Sequence, residues 1–200
     1  MPIERPRRSF GIHPYKIIVY LVIGGISALF LSLSFAYMYT RSQQGIDPIK
    51  LPWIFYVNTL VLISSSYLLL LAKRFYQRDN TEKYKATLLF TIILTLIFLV
   101  GQGYGWYQLL TENIAVGYNT GSAYLYLISM VHFMHVLAGL PFLILFYRAA
   151  VLKMVEPVSV LLYFSDPEKK IKLELLAVYW HFLDALWIYL VTFFAVNYLL

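Results

Sequence analysis

Leu175–Leu200, LLAVYWHFLDALWIYLVTFFAVNYLL, decides how the rest of the chain is read. A helix needs about 20 mostly apolar residues to cross the hydrocarbon core of a bilayer, and this stretch exceeds that. Yet it holds His181 and Asp184 near its first third. An ionisable group at the centre of the hydrocarbon costs about 2.5 to 3.5 kcal/mol on insertion scales. Three residues apart on a helix, the two share a face. That face is expected to turn toward other protein and away from lipid.

The remaining sequence has the same character. Of 200 residues, 60% are hydrophobic, 18% aromatic and 13% charged, against about a quarter charged in soluble domains. This is the composition of an integral, all-α membrane protein. Apolar runs at about 17–39, 53–72, 88–107, 123–147 and 175–200 predict five transmembrane helices in a single membrane domain over 1–200. Residues 1–16, with Arg5, Arg7, Arg8 and Lys16, form a basic tail, and Pro2, Pro6 and Pro14 discourage regular structure before the first span. No small-residue cleavage site follows the first apolar run, so that run is expected to remain as a helix.

Charge placement predicts the orientation. Four Lys and Arg fall in the tail, five in the second connection and five in the fourth, against two (Arg41 and Lys50) in the first and none in the third. Basic residues accumulate on the cytoplasmic side, which predicts an inside amino terminus and an outside carboxyl terminus. The net charge of +6 is thereby explained by topology, and nucleic acid is not called for. GIDPIKLP (45–52) and ENIAVGYNTGS (112–122) carry turn chemistry in the first and third connections. In the fourth, Val160–Phe164, VLLYF, is too short to span and is expected to lie along the membrane surface.

The chain has no cysteine, which removes thiolate chemistry, disulfides, iron–sulfur clusters and thiolate copper sites. His132 and His135 share a face of the fourth span, as His181 and Asp184 share one on the fifth. A di-iron bundle needs several carboxylates, and Asp184 is the one acidic residue well inside a span. His181 opposite a fourth-span histidine could in principle hold haem. Hydrogen-bonded contact between the fourth and fifth spans, with Asp184 holding His181 toward the fourth, fits the residues better. A proton relay needs a chain of polar groups across the membrane, and the scattered hydroxyls of Ser27, Ser32, Thr59 and Ser64–Ser66 more commonly bond their own helix backbones. GQGYGW (101–106) lacks the order of a phosphate loop and follows no strand, so Gly101 and Gly105, like Gly24, Gly25 and Gly139, are expected to permit close helix packing.

Taken together, these segments resemble subunit III of the haem–copper terminal oxidases, the cytochrome c oxidase subunit III family. YWHFLDALW (Tyr179, Trp180, His181, Asp184, Trp187) is similar to that family's Tyr-Trp-His-Phe-x-Asp-x-x-Trp signature. HFMHVLAGL, with His132 and His135, resembles its His-x-x-His-Val-x-x-Gly segment. LPWIFYVNTLVLISSS, with Asn58, resembles its second segment, and GQGYGWYQ puts Gln102 and Trp106 where the family has Gln-x-x-Glu-Trp. The resemblance runs from about Tyr15 to Leu200 and matches a five-helix bacterial form without the first two helices of seven-helix relatives.

The resemblance implies a non-catalytic subunit of an oxidoreductase complex in a bacterial-type plasma membrane. Electrons from cytochrome c, or from quinol in some branches, reduce dioxygen to water at the haem and copper of subunit I while protons are pumped. Subunit III holds none of those metals. It packs on subunit I, in a complex with subunit II and in some cases a larger respiratory assembly, binds phospholipid, supports proton uptake and protects the active site. The residues His132, His135, His181, Asp184, Tyr179, Trp180, Trp187, Gln102, Trp106 and Asn58 are then structural and interface positions. Two departures stand out, Ala28 and Gly105, which occupy places where the family commonly has Glu. Other readings are an accessory subunit of a nitric oxide reductase and, from another class, a small transporter, although no internal repeat supports the latter.

Overall fold

The computed structural model describes residues 13–154 and 156–199. Most of the basic tail, with Arg5, Arg7, Arg8, Pro2 and Pro6, lies outside the described residues, as does Leu200 at the end of the last apolar run. The described chain is all-helical: α1 (Pro14–Gln44), α2 (Trp53–Gln77), α3 (Thr81–Thr111), α4 (Thr120–Lys153), the short α5 (Pro157–Ser165) and α6 (Pro167–Leu199). All but α5 are long and apolar enough to cross a membrane, which gives five spans.

The helices outrun the apolar stretches that announce them. The third apolar run, 88–107, lies inside a helix of 31 residues, and the fifth begins eight residues after α6 does. Hydropathy marks only the hydrocarbon slab, whereas backbone hydrogen bonding continues through the headgroup layer until a cap ends it. Asn80 accepts from the Lys83 N–H at the start of α3. Asn119 and Ser122 form a reciprocal capping box at α4. Gly45 ends α1 in the left-handed region at φ 60°, where a side chain would be strained.

α2 and α3 form an antiparallel hairpin. α3 packs on α4, α4 on α6 and α6 on α2, closing a four-helix ring, with α1 laid outside against α4 and α6. Glycine sets the hairpin's close approach. A Cβ on Gly101 would meet the Asn58 side chain, and one on Gly105 would lie 2.7 Å from Phe55 and 2.9 Å from Ile54. Gly139 admits Trp180 and Tyr179 to α4 in the same way, at 3.0 Å each. Gly24 and Gly25 do not fit that expectation. A Cβ at either meets nothing within 4 Å, because both lie on the outward face of α1.

The interior has two apolar clusters. One gathers Phe30, Phe55, Phe98, Leu125, Trp187 and Phe194. The other gathers Leu69, Tyr76, Tyr84, Leu143 and Trp180, and Tyr163 joins it from α5. Tyr163 is the one buried residue of α5, and its carbonyl accepts from the Tyr76 hydroxyl at 3.1 Å. The VLLYF patch is therefore a short helix pinned to the bundle end by its tyrosine. Lys85 reaches from α3 to the Met154 carbonyl at the end of α4, at 3.1 Å. At the opposite end Arg41 closes α1 onto α6 through the Asn197 carbonyl and side chain, at 2.5 and 2.9 Å.

Candidate functional site

The polar side chains singled out by sequence occupy the middle of the bundle. α6 supplies most of them because its inward stripe Leu176, Trp180, Leu183, Asp184, Trp187 and Val191 recurs every three or four residues. Trp187 is the centrepiece. Its ring stacks on Phe55 of α2 (centroids 5.5 Å, 24°) and meets the edge of Phe98 of α3 at 5.1 Å. Its indole N–H donates to Thr59 at 3.2 Å. His132 of α4 lies 5.1 Å from the same indole, with Phe98 and Phe30 around it. It is wholly buried, and neither ring nitrogen has a hydrogen-bond partner among the described residues.

The other histidines point elsewhere. The His135 Nδ1–H donates to the Val131 carbonyl of its own helix at 2.7 Å, a bond that fixes the proton on Nδ1 because a carbonyl can only accept. The His135 carbonyl accepts from the Tyr179 hydroxyl at 3.0 Å and ties α6 to α4. His181 turns to α2, with Nδ1 2.6 Å from the Ser66 hydroxyl. This corrects the expectation that Asp184 holds His181 toward the fourth span. Asp184 is buried and forms no ion pair with His181 among the described residues. The Ser66 hydroxyl also faces Asp184, so the two α6 residues are related through α2. Residues three apart share a face, as expected, but the helix that this face meets is α2 and is set by packing, which the spacing does not specify.

Trp106 donates its indole N–H to Ser129 at 3.0 Å and joins α3 to α4. Asn58 lies against Gly101, its amide 3.5 Å from the Phe98 carbonyl. Gln102 is fully buried, and neither of its side-chain polar atoms has a partner among the described residues. As expected of hydroxyls in apolar helices, Ser27, Ser32, Ser64 and Thr59 each donate to the carbonyl four residues back. The seam these contacts create was not evident from the motifs. Thr59, Ser66 and Lys73 recur every seven residues on α2 and face Trp187, His181 and Glu174, with Lys73 4.0 Å from Glu174. The heptad spacing of those α2 polar residues is the signal that could have found it.

Chemically, the layer joins helices. Its histidines stand in three different settings, and among the described residues no three His, Cys, Asp or Glu side chains come together as metal ligands. Outside the spans, the Asp166 carboxylate accepts from the Glu168 and Lys169 N–H groups (3.0 and 3.4 Å) and pairs with the Lys169 ammonium at 2.9 Å. That hydrogen bond from Lys169 holds the Asp166 carboxyl below its usual range. Burial pushes the Tyr163 phenol up.

Five membrane-length helices packed into one bundle, with several inter-helix hydrogen bonds in its interior, define a polytopic helical membrane protein. The chain belongs to the cytochrome c oxidase subunit III family, whose model matches residues 21–198. It is 29% identical over 135 residues to a probable cytochrome c oxidase subunit 3 of Mycobacterium leprae, covering 67% of this chain and 61% of that one. It is 26% identical over 147 residues to cytochrome c oxidase subunit 3 of Corynebacterium diphtheriae (73% and 66%). With a probable cytochrome c oxidase subunit 3 of Rickettsia prowazekii, it is 30% identical over 150 residues (74% and 48%). The chain thus spans about half to two thirds of the length of the curated relatives it matches.

Proposed function

We propose that this chain is the accessory subunit III of a haem–copper terminal oxidase in a bacterial-type plasma membrane. In that role it packs on subunit I, in a complex with subunit II, which together carry haem and copper and reduce dioxygen with proton pumping. It contributes stability, lipid contact and support of proton uptake, and holds no metal of its own. The observation that carries this reading is the family match, which runs from within α1 to the last turn of α6 and reaches all five described spans. The names of the relatives favour cytochrome c over quinol as the donor to the complex.

The amino terminus is cytoplasmic in this reading. The bundle end formed by the start of α1, the α2–α3 turn, the end of α4 and α5 carries Lys16, Lys73, Arg78, Lys83, Lys85, Lys153 and Lys170, against Arg41 and Lys50 at the other, and that asymmetry supports it. His132, His135, His181, Asp184, Tyr179, Trp180, Trp187, Gln102, Trp106 and Asn58 act as packing and register residues. Ala28 is exposed on α1 and Gly105 is packed against Phe55, so the part played by carboxylates at those places in the family does not extend here.

The test is isolation of the tagged chain in mild detergent, with identification of the subunits that accompany it, a reduced-minus-oxidised haem spectrum and oxygen consumption. Haem–copper subunits with oxygen reduction are the expected result. A chain eluting alone and haem-free, or with a nitric oxide reductase, overturns the assignment.

A further inference from the structure

α1 is fastened to the rest of the bundle unevenly. Its buried residues, Ile26, Phe30, Ser34 and Tyr37, all follow Gly25. So do its aromatic contacts with α4 and α6, Phe30 with His132 and His135 and Tyr37 with Tyr124, Phe193 and Phe194, at centroid distances of 5.5 to 6.4 Å. Its hydrogen bonds to other helices come later still: Thr40 with Tyr124 at 3.4 Å, Arg41 with the Asn197 side chain at 2.9 Å, and Gln44 with Thr120 at 3.0 Å. Residues 14–25 have no such anchorage. Lys16, Val19 and Ile23 are half-buried and the rest exposed. The one charged or aromatic contact that this stretch makes with another helix among the described residues is the Lys172 ammonium over the Tyr15 ring, at 5.0 Å.

Gly24 and Gly25 stand where the anchored and unanchored parts meet. A Cβ at either would meet nothing within 4 Å, so close packing inside this chain does not account for them. Glycine is the least favourable helix-interior residue after proline, and paired small residues are among the places where helices bend sharply. A stretch with no buried residue, joined to the bundle through such a pair, moves at little cost in packing. We propose that α1 is a hinged helix. Residues 14–23 form an arm that swings about Gly24 and Gly25 while residues 26–44 stay fixed, and Tyr15 on Lys172 is the latch that holds the arm against α6. From Gly25 to Tyr15 the arm is about 15 Å long at 1.5 Å per residue, so a bend of about 20° carries Tyr15 about 5 Å and opens the cation–π contact. The hinge and its latch lie within this chain and do not depend on which subunits accompany it.

The chain has no cysteine, so spin labels on introduced cysteine pairs report on chosen positions alone. Ile18→Cys with Arg78→Cys joins the arm to the α2–α3 turn, and Met38→Cys with Glu112→Cys joins the fixed part of α1 to the end of α3; all four positions are exposed. Because α6 packs on both α1 and α2, a swing away from α6 lengthens the distance from Ile18 to Arg78. Pulsed double electron–electron resonance is read on the full chain in nanodiscs, with whatever subunits copurify. The arm pair should give two distances, up to about 5 Å apart, and the control pair one. Gly24→Ala with Gly25→Ala should merge the two into one, and the open space at both positions lets the alanines fold. Lys172→Gln should raise the ratio of long to short distance about two- to fivefold, the scale of an exposed cation–π contact, and Lys172→Arg should leave it nearly unchanged. A single arm distance as narrow as the control, two distances that persist in the double alanine variant, or a ratio unmoved by Lys172→Gln overturns the proposal. These readouts are independent of haem and oxygen consumption, so failure here and failure of the oxidase assignment are separable.

Discussion

Ser66 of α2 and His181 of α6 meet at 2.6 Å between the hydroxyl and Nδ1, the shortest side-chain contact across the α2–α6 seam among the described residues. The contact satisfies one nitrogen of an imidazole held inside a membrane span, while Nε2 is buried without a partner among the described residues. Its Nδ1 is satisfied by a hydroxyl that most serines in apolar helices keep for their own backbone. One seven-residue step along α2 on either side, Thr59 receives Trp187 and Lys73 faces Glu174. The seam is thus a polar ladder in an otherwise apolar interface.

Replacing Ser66 by Ala strands the His181 nitrogen. Hydrogen bonds between membrane helices average about 0.6 kcal/mol, and a buried polar group left unpaired costs about 1 to 3. A loss of about 1 kcal/mol in the thermal or denaturant stability of the purified chain is expected, with Ser66→Thr closer to the unaltered protein. Equal losses in the two variants would show that side-chain volume, and not the hydroxyl, is what matters there.

Glycines on the same stretch of α3 should behave differently. Gly105→Ala places a methyl 2.7 Å from Phe55, so the hairpin must open or Phe55 must shift. Overpacking of this kind costs about 1 to 3 kcal/mol. Gly103→Ala meets nothing within 4 Å and gains helix propensity. Paired melting curves of the two variants should therefore separate, with Gly103→Ala at or above the unaltered chain.

This contrast also marks how far the sequence could be read. The five spans were legible because an apolar run of bilayer length fits little besides a membrane helix. Their ends were not, since the helix of Thr81–Thr111 continues several residues past its apolar run at each end through polar sequence. Small residues signalled close packing at Gly101, Gly105 and Gly139, but the same signal at Gly24 and Gly25 falls on an open face of α1. Composition carries no statement of which face meets a neighbour. The shared face of His181 and Asp184 was likewise visible, while the helix it meets was set by three-dimensional packing. The resemblance to a family was written in the motifs of the second, third, fourth and last spans, where several unusual residues recur at fixed spacing.

Acid should loosen the start of α6 before it touches the bundle. Asp166 is bound by the Lys169 side chain and by two backbone N–H groups, which together hold its carboxyl below the ordinary value of 3.8. A depressed carboxyl stabilises the fold at pH above its unfolded value and loses that contribution as pH falls through the folded one. Amide exchange at Lys169 and Lys170, corrected for intrinsic rates, should be protected from about pH 8 to about pH 5 and lose protection only below the ordinary carboxylate range. In Asp166→Asn the acid step should vanish, because no proton is taken up. An acid step that persists in Asp166→Asn would assign it to another group.

Asp184 distinguishes a packing role from a proton-carrying one. It is buried, faces Ser66, and has one carboxyl oxygen without a partner among the described residues. Asp184→Ala removes volume and the acceptor together, and a loss of about 2 to 4 kcal/mol is expected from a buried truncation of this kind. It should show as a lower melting temperature and poorer recovery of the chain with any subunits that copurify. Asp184→Asn keeps the shape and an acceptor oxygen and should cost less than about 1 kcal/mol. Asparagine cannot take up and release a proton at this position. If Asp184 carried protons for the complex, Asp184→Asn would slow turnover as severely as Asp184→Ala while melting normally; if it holds helices, turnover should follow stability in both variants.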